Sequence, residues 1–218
     1  MASFMDALRE ALDGDEQTRD RIIKDLATHP DEVRTQMSRG FHDKHAARVL
    51  VPVFSAIGYP ANVDLIPWLV AEVDRNSPAW REVVQAVDRL GARVIVPYFV
   101  QKLWERKVHD PDWCYDVESI CTLLLELDRP FSLGCGPVVA FLLSLGASPT
   151  QLDPMFLIDV LGRIGSGAAM YALPHLLAVA QQHPLSDIRS QALKLVNSYP
   201  VDARQPYERI LANILTDH

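Results

Sequence analysis

Few side chains in this sequence have the types and spacing that metal chemistry requires. His42 and His45 lie three residues apart, so a helix would place both imidazoles on one face, as a pair of metal ligands requires. Further ligands at suitable spacing do not follow, and neither Cys-x-x-Cys nor His-Glu-x-x-His occurs. We therefore interpret both histidines as polar helix surface, and we expect no metal and no other cofactor.

The cysteines are also expected to be structural. Cys114 and Cys121 are seven residues apart and could face the same side of one helix, where thiols pack as small apolar groups. Together with Cys135 they form an odd set without metal-site spacing. Reduced thiols of this kind are typical of a cytoplasmic protein.

Two further segments contain residues that catalysis could use. Aromatic and acidic residues are concentrated from Trp104 to Glu118. If this segment forms the rim of a pocket, one of its carboxylates could act in general acid–base catalysis. The alternative is a turn between repeats, with Pro111 ending one helix and Asp112 capping the next. Ser166 lies in Gly-Ser-Gly, but no strand precedes it and no lysine follows, so we interpret it as a turn. We assign no catalytic residue.

Composition limits the classes of partner. The 218 residues are 49% hydrophobic and carry a net charge of −7, which is typical of a soluble globular protein. An acidic surplus argues against general binding to nucleic-acid backbones, which requires a surplus of Lys and Arg. No stretch of about 18 apolar residues predicts a membrane span, and the first ten residues contain acid rather than a basic signal-peptide start.

Helical periodicity is the main secondary-structure signal. Between Asp64 and Arg75 the apolar residues fall on one helical stripe, and the same pattern precedes Gly91, a natural helix stop. No Asn-Gly or Asp-Gly turn is flanked by alternating apolar residues, so no hairpin is expected. The sequence therefore predicts an all-α fold.

Proline recurs near the expected start of a helix at intervals of 30, 40, 37 and 32 residues. The aligned prolines are Pro67, Pro97, Pro137, Pro174 and Pro206. Proline suits the first turn of a helix, where its missing N–H costs nothing. Gly58, Gly91, Asp128 and Gly165 lie six to nine residues before the first four of these prolines and close a preceding amphipathic segment. Each unit is thus interpreted as a helix, a short turn and a second helix, and such pairs must stack to bury their apolar faces.

This pattern resembles the HEAT-repeat family over residues 41–218. The closest match runs from Met155 through Ala172-Leu-Pro-His-Leu-Leu to Asp187-Ile-Arg-Ser-Gln-Ala-Leu. The resemblance implies an α-solenoid of about five helix pairs in one domain, 1–218, with residues 1–40 as an N-terminal helical cap. In that family Asp and Arg form a polar ladder between repeats, and Asp187 and Arg189 match those positions.

One set of aligned positions is unusually aromatic for a surface. In HEAT-like stacks the second helices line the concave face, so residues at one offset from the prolines form a column. The residue after each proline gives Trp68, Tyr98, Val138, His175 and Tyr207, whereas the next offset is mostly core-like. Aromatic residues are enriched at binding hot spots. We therefore predict partner binding by the aromatic column, defined as Trp68, Tyr98, His175 and Tyr207; the alternative is that these rings fill seams between repeats.

The predicted function is a non-enzymatic protein–protein interaction module. An acidic chain suits a basic protein partner, and an immunity-type inhibitor of a cationic toxin is one form of such a module. The alternative comes from a second resemblance, to the HEAT-like alkylpurine DNA glycosylases. Trp113 and Asp116 could reproduce part of the aromatic and acidic site of those enzymes, although the acidic balance of this chain departs from their basic concave face.

Overall fold

The computed structural model of the chain describes residues 3–38, 45–105, 111–127, 154–164 and 172–216. Every regular element in these ranges is a helix, and the same ranges contain no strand. The predicted all-α class is therefore confirmed. The HEAT-like stacking of the helices and the single domain over residues 1–218 stay predictions.

The chain divides into two compact units, Met1–Lys102 and Leu103–His218. Seven helices described in the first unit follow in chain order, the last of them ending just beyond the unit boundary: α1 (Phe4–Asp13), α2 (Glu16–Ala27), α3 (Pro30–Ser38), α4 (Ala47–Ile57), α5 (Ile66–Ala71), α6 (Trp80–Leu90) and α7 (Ala92–Glu105). A 3₁₀ turn at Val63–Leu65 leads into α5. The segment predicted as an N-terminal cap, residues 1–40, contains α1, α2 and α3, and its role as a cap stays a prediction.

The second unit contains six described α-helices: α8 (Pro111–Glu126), α9 (Pro154–Ile164), α10 (Leu173–Gln182), α11 (Ser186–Ser198), α12 (Val201–Arg204) and α13 (Glu208–Thr216). A 3₁₀ turn at Gln205–Tyr207 joins α12 to α13. Several sequence predictions lie outside the described residues, namely those on His42, Asp128, Cys135, Pro137, Gly165 and Ser166.

Side-chain caps explain where the first two helices begin. The Ser3 hydroxyl accepts the Asp6 N–H, and the Asp6 carboxylate accepts the Ser3 N–H, which completes a capping box. At α2 the Asp15 carboxylate accepts the Thr18 N–H at 2.8 Å. The Ser3 hydroxyl and N–H both donate to the Asp6 carboxylate, and the Thr18 N–H donates to that of Asp15, so the pKa values of Asp6 and Asp15 lie below their ordinary range.

The core of the first unit forms around α4. Helices α1, α2 and α6 all contact α4, and α4 is accordingly apolar on nearly every side. Its fully or almost fully buried side chains include Val49, Leu50, Val51, Val53 and Phe54. In the second unit α10 packs along α11, while α9 contacts α8 and α11 and α13 contacts α10. The buried side chains of α10 and α11 include Leu176, Leu177, Ala180, Ile188, Ala192 and Val196.

The predicted position of proline in the first turn is right at α5, at α10 and, for Pro206, at the 3₁₀ turn before α13, and it is wrong at α7. Pro67 and Pro174 lie in the first turns of α5 and α10. Pro97 instead lies inside α7, because Gly91, with φ of 77°, ends α6 and the next helix starts at once. The N–H groups of Val94 and Ile95 already bond to the Gly91 carbonyl. The predicted turn between Gly91 and Pro97 is therefore absent.

The true equivalent of Pro97 is Pro52, which lies inside α4. Ala47-Arg-Val-Leu-Val-Pro-Val-Phe and Ala92-Arg-Val-Ile-Val-Pro-Tyr-Phe are 45 residues apart, and each segment begins its helix. Proline is the sixth residue of both helices and supplies no N–H to the helical ladder. The structure thus identifies a repeated helix that the alignment on first-turn prolines overlooks.

Candidate functional site

The aromatic column depends on which side of each helix is buried. Among the described residues two positions after the aligned prolines, Leu69, Phe99 and Leu176 are each 0% exposed. Glu208, at the same offset from Pro206, is exposed. Three of these four positions are therefore core, as the offset predicts. The residue one position earlier lies about 100° around an α-helix, at the margin of that core.

The four predicted binding residues differ in exposure. Tyr98 and His175 are half-buried on α7 and α10, and Tyr207 is half-buried at the end of the 3₁₀ turn before α13. Trp68, on α5, is only 9% exposed. Trp68 and Tyr98 belong to the first unit, and His175 and Tyr207 belong to the second.

Trp68 has the surroundings of a packing residue. Its indole Nε1 is buried and has no hydrogen-bond partner within the part of the chain that the structure describes. Tryptophan at a binding surface usually keeps its N–H available to water or to a partner. The burial of Trp68 therefore favours the seam-packing alternative for this one member of the column.

Tyr98 lies on the side of α7 that meets α5. Lys102, one turn further along α7, donates from Nζ to the Val70 carbonyl at the end of α5, at a distance of 3.0 Å. Residues four apart share a helix face, so Tyr98 belongs to the same face as Lys102. Tyr98 is nevertheless half-buried, whereas its equivalent in the repeated helix, Val53, is 0% exposed. The second copy of the repeat thus leaves open a position that the first copy covers.

In the second unit, His175 and Tyr207 lie on elements that are linked by packing. His175 is near the start of α10, and Tyr207 immediately precedes α13, which contacts α10. Aromatic and imidazole rings that are half open to water can supply contact area to a partner at little entropic cost.

Basic side chains close the C-terminal ends of helices in both units. Arg19 donates to the Ala11 carbonyl of α1, and Lys102 donates to the Val70 carbonyl of α5. Arg189 binds the carbonyls of His183 and Pro184 after α10, and Arg204 binds the Tyr199 carbonyl after α11. Helix C-terminal ends carry partial negative charge, which these cations satisfy. Sequence reasoning missed these caps, since each joins residues between 5 and 32 positions apart.

The resemblance to HEAT repeats predicts that Arg189 joins a polar ladder between repeats together with Asp187. The structure places the Arg189 guanidinium on the turn that immediately precedes α11, at 2.8 Å from the His183 carbonyl. Asp187, in the first turn of α11, is exposed. Arg189 therefore stabilises the α10–α11 turn.

A groove of about 600 Å³ lies between α1, α2 and α3. Its apolar walls come from all three helices and comprise Phe4, Ala7, Ile22, Leu26 and Val33. Its charged rim comprises Glu10, Arg21, Asp25 and Glu32. We name it the N-terminal groove. Sequence reasoning missed it because the segment was interpreted only as a structural cap, although its helices are amphipathic and it carries nine acidic side chains.

The candidates for catalysis have ordinary structural surroundings where the structure describes them. Cys121 is 0% exposed, and burial together with nearby Glu118 raises its thiol pKa to about 12. A thiol with that pKa is not a nucleophile at neutral pH. Asp116 is half-buried on α8, and the side chains of Trp104, Trp113 and Cys114 lie outside the described part. Within the described residues, no group of three His, Cys, Asp or Glu side chains could hold a metal ion.

Comparison with known proteins identifies no relative of this chain. No protein-family model matches it, and no curated protein or solved structure matches it. Among the described residues, no helix is long and apolar enough to cross a membrane. The likeness to HEAT repeats therefore rests on the residues quoted above and stays a prediction.

Proposed function

We propose that this chain is a non-enzymatic protein-binding module whose helices stack as HEAT-like repeats. The observation that carries the proposal is the contrast between neighbouring positions on the second helices. Phe99 and Leu176 are fully buried, while Tyr98 and His175, one position earlier, remain half open to water. Half-exposed aromatic and imidazole rings beside packed core positions provide rigid contact area for a partner.

The proposed binding residues are Tyr98 in the first unit and His175 with Tyr207 in the second, and Trp68 is assigned to packing. Because Trp68 is almost completely buried, its role is to hold α5 in place rather than to touch a partner. Lys102, one turn beyond Tyr98 on α7, donates a hydrogen bond to the Val70 carbonyl and so links α7 to α5.

A basic protein is the proposed partner. The chain carries 28 acidic residues against 21 basic ones, and several of the basic ones neutralise helix ends within the fold. A surplus of exposed carboxylates speeds association with a cationic surface and weakens binding to anionic ones. A cytoplasmic site of action is proposed with it, from the odd number of cysteines and the buried free thiol of Cys121.

The test is to reconstitute a complex with a purified partner. The partner would be obtained by affinity capture from an extract of the source cells and then expressed alone. We expect Tyr98→Ala and Tyr207→Ala each to weaken its binding about tenfold or more, as loss of an aromatic hot spot does. Tyr115 on α8 is 62% exposed and lies outside the column, so Tyr115→Ala is the matched control and should change affinity less than about twofold.

Two results would contradict the proposal. One is that no protein forms a stoichiometric complex after purification of every captured candidate. The other is that Tyr115→Ala weakens binding as much as the two column variants do. The glycosylase alternative rests on Trp113 and Asp116, and release of an alkylated purine from duplex DNA by the purified chain would favour it instead.

A further inference from the structure

We propose that the N-terminal groove is a docking site for a basic amphipathic segment of the partner protein. This inference rests on the proposed function and names a second surface for it, separate from the aromatic column. The groove combines apolar walls with exposed acidic groups, which is the complement of a segment that alternates apolar and cationic side chains.

The walls of the groove can hold apolar side chains. The floor of the groove is apolar and mostly covered, since Phe4, Ile22 and Leu26 are 5–7% exposed and Val33 is 0% exposed, while Ala7 at its side is half-buried. A volume of about 600 Å³ is within the range of pockets that enclose ligands, and it can hold several side chains. Apolar side chains of an incoming segment that sit over this floor would be partly removed from water.

The charges on the rim determine which charge a bound segment should carry. Glu10 is already paired with Arg21 at 2.6 Å. Asp25 and Glu32 are exposed, and neither forms an ion pair with another residue in the described ranges. The rim therefore offers two available carboxylates, one on α2 and one on α3. Lys or Arg side chains that flank an apolar anchor could pair with both.

The surrounding helices reinforce this preference. Residues 3–38 contain nine acidic and five basic side chains, so they carry more than half of the chain's net charge of −7. An acidic field around a low-dielectric groove attracts cationic segments and repels acidic ones. A basic partner segment is therefore favoured over a second copy of this acidic chain.

The experiment measures binding of a defined probe to the full chain. The probe is a fluorescent 18-residue Leu/Lys peptide with helical apolar periodicity, used at about 150 mM salt so that weak surface attraction is screened. Two further peptides of the same length replace leucine by serine or lysine by glutamate. We expect the Leu/Lys peptide alone to bind, because both the apolar walls and the carboxylates are needed.

Variants locate the binding. Asp25→Asn with Glu32→Gln removes the two available carboxylates, and Ala7→Trp fills the groove; each should weaken binding at least about tenfold. The matched control, Asp13→Asn with Glu16→Gln, changes net charge equally at exposed positions outside the groove and should weaken binding less than about threefold. If Ala7→Trp lowers the melting temperature, the charge variants decide alone, since their side chains are exposed.

Several outcomes would overturn the docking site. They are failure of the Leu/Lys peptide to bind, equal binding of the serine peptide, and equal weakening by the control variant. Loss of peptide binding in Tyr98→Ala or Tyr207→Ala, with the groove variants unaffected, would place the segment on the aromatic column instead. That result would sink the groove and leave the proposed function standing. The proposed function fails separately, when no partner forms a stoichiometric complex.

Discussion

At the scale of single residues, the aromatic column contains side chains with different tasks. Trp68 is 9% exposed and its indole nitrogen is buried, whereas Tyr98 is half-buried and shares a face of α7 with Lys102. Truncation of a buried ring leaves a cavity, while truncation of a half-exposed ring removes mainly contact surface. The same substitution should therefore affect folding at one position and binding at the other.

We expect Trp68→Ala to lower the free energy of unfolding by about 3–5 kcal/mol, because a large buried ring is lost. Tyr98→Ala should lower it by less than about 2 kcal/mol and should cost about 2 kcal/mol of partner-binding free energy. Urea unfolding of both variants, beside titration of the partner, measures the two quantities. A larger stability loss for Tyr98→Ala than for Trp68→Ala would assign Tyr98 to seam packing.

Cys121 provides a prediction about pH. Burial raises the pKa of its thiol from 9.0 to about 12, so the folded protein holds this proton more tightly than the unfolded chain does. The resulting stabilisation is complete below the unfolded pKa of 9.0 and is lost as pH rises toward 12. Wild type should therefore lose about 1 kcal/mol more unfolding free energy than Cys121→Ala between pH 8 and pH 10.

Chemical unfolding at the two pH values measures this difference. The contributions of all other titrating groups are the same in wild type and in Cys121→Ala, so they cancel when the two proteins are compared. An independent check is alkylation at pH 8 followed by peptide mapping. Cys121 should stay unmodified in the folded protein and react fully in denaturant. Rapid modification of Cys121 in the folded protein would show that the thiol is accessible.

At the scale of elements, the repeated helix is the feature that best explains the first unit. Helices α4 and α7 share the segment Ala-Arg-Val-x-Val-Pro-x-Phe, and both keep a proline as their sixth residue. The conserved phenylalanines, Phe54 and Phe99, are almost fully buried. The proline is half-buried in α4 and exposed in α7, so this position is the more covered in the α4 copy.

We expect Pro97→Ala to raise the free energy of unfolding by about 1–2 kcal/mol. Proline inside a helix costs about 3 kcal/mol relative to alanine, and its restriction of the unfolded chain returns about 1 kcal/mol of that cost. Pro67→Ala is the matched control, because Pro67 is also exposed but lies in a first turn, where proline costs nothing. That control should leave stability unchanged or lower it by less than about 1 kcal/mol.

Thermal and urea unfolding of the two proline variants decide this prediction. A fall in stability for Pro97→Ala would mean that packing around α7 requires the bend that proline produces. Similar effects of the two variants would mean that position within the helix has no influence.

The same elements show how far sequence reasoning reaches. Helix class, the stops at Gly58 and Gly91 and the first-turn prolines Pro67 and Pro174 follow from local preferences, and the structure agrees with them. Pro97 was misplaced because first-turn proline is only a preference, and Gly91 fixed an earlier helix start. The helix predicted over residues 64–75 ends at Ala71, where Lys102 of α7 donates to the Val70 carbonyl, a contact that no local pattern specifies.

In the candidate site, too, some features follow from local sequence and others depend on distant contacts. The buried register of Leu69, Phe99 and Leu176 follows from helical periodicity. The difference between Trp68 and Tyr98 does not, because it depends on which neighbouring helices cover each position. The N-terminal groove likewise requires three helices to meet, which no local pattern of residues specifies.

At the scale of the whole molecule, charge separates the two function classes. The net charge is −7, and residues 3–38 alone carry nine acidic side chains. Of the basic residues, Arg19, Lys102, Arg189 and Arg204 donate to backbone carbonyls at helix ends. Cations in such positions are less available for phosphates, and binding to a nucleic-acid backbone depends on the number of phosphates that a protein neutralises.

We therefore expect the purified chain to leave the anisotropy of a fluorescent 20-base-pair duplex unchanged at about 150 mM salt, where nonspecific attraction is screened. Lowering the salt should not produce saturable binding, because an acidic chain gains little from counterion release. A single-stranded probe of the same length tests stacking on exposed aromatic rings, and an alkylated duplex tests the glycosylase alternative. Saturable binding whose affinity falls steeply with salt would reveal a basic surface that neutralises several phosphates, and it would turn the assignment from protein binding toward a DNA-acting enzyme.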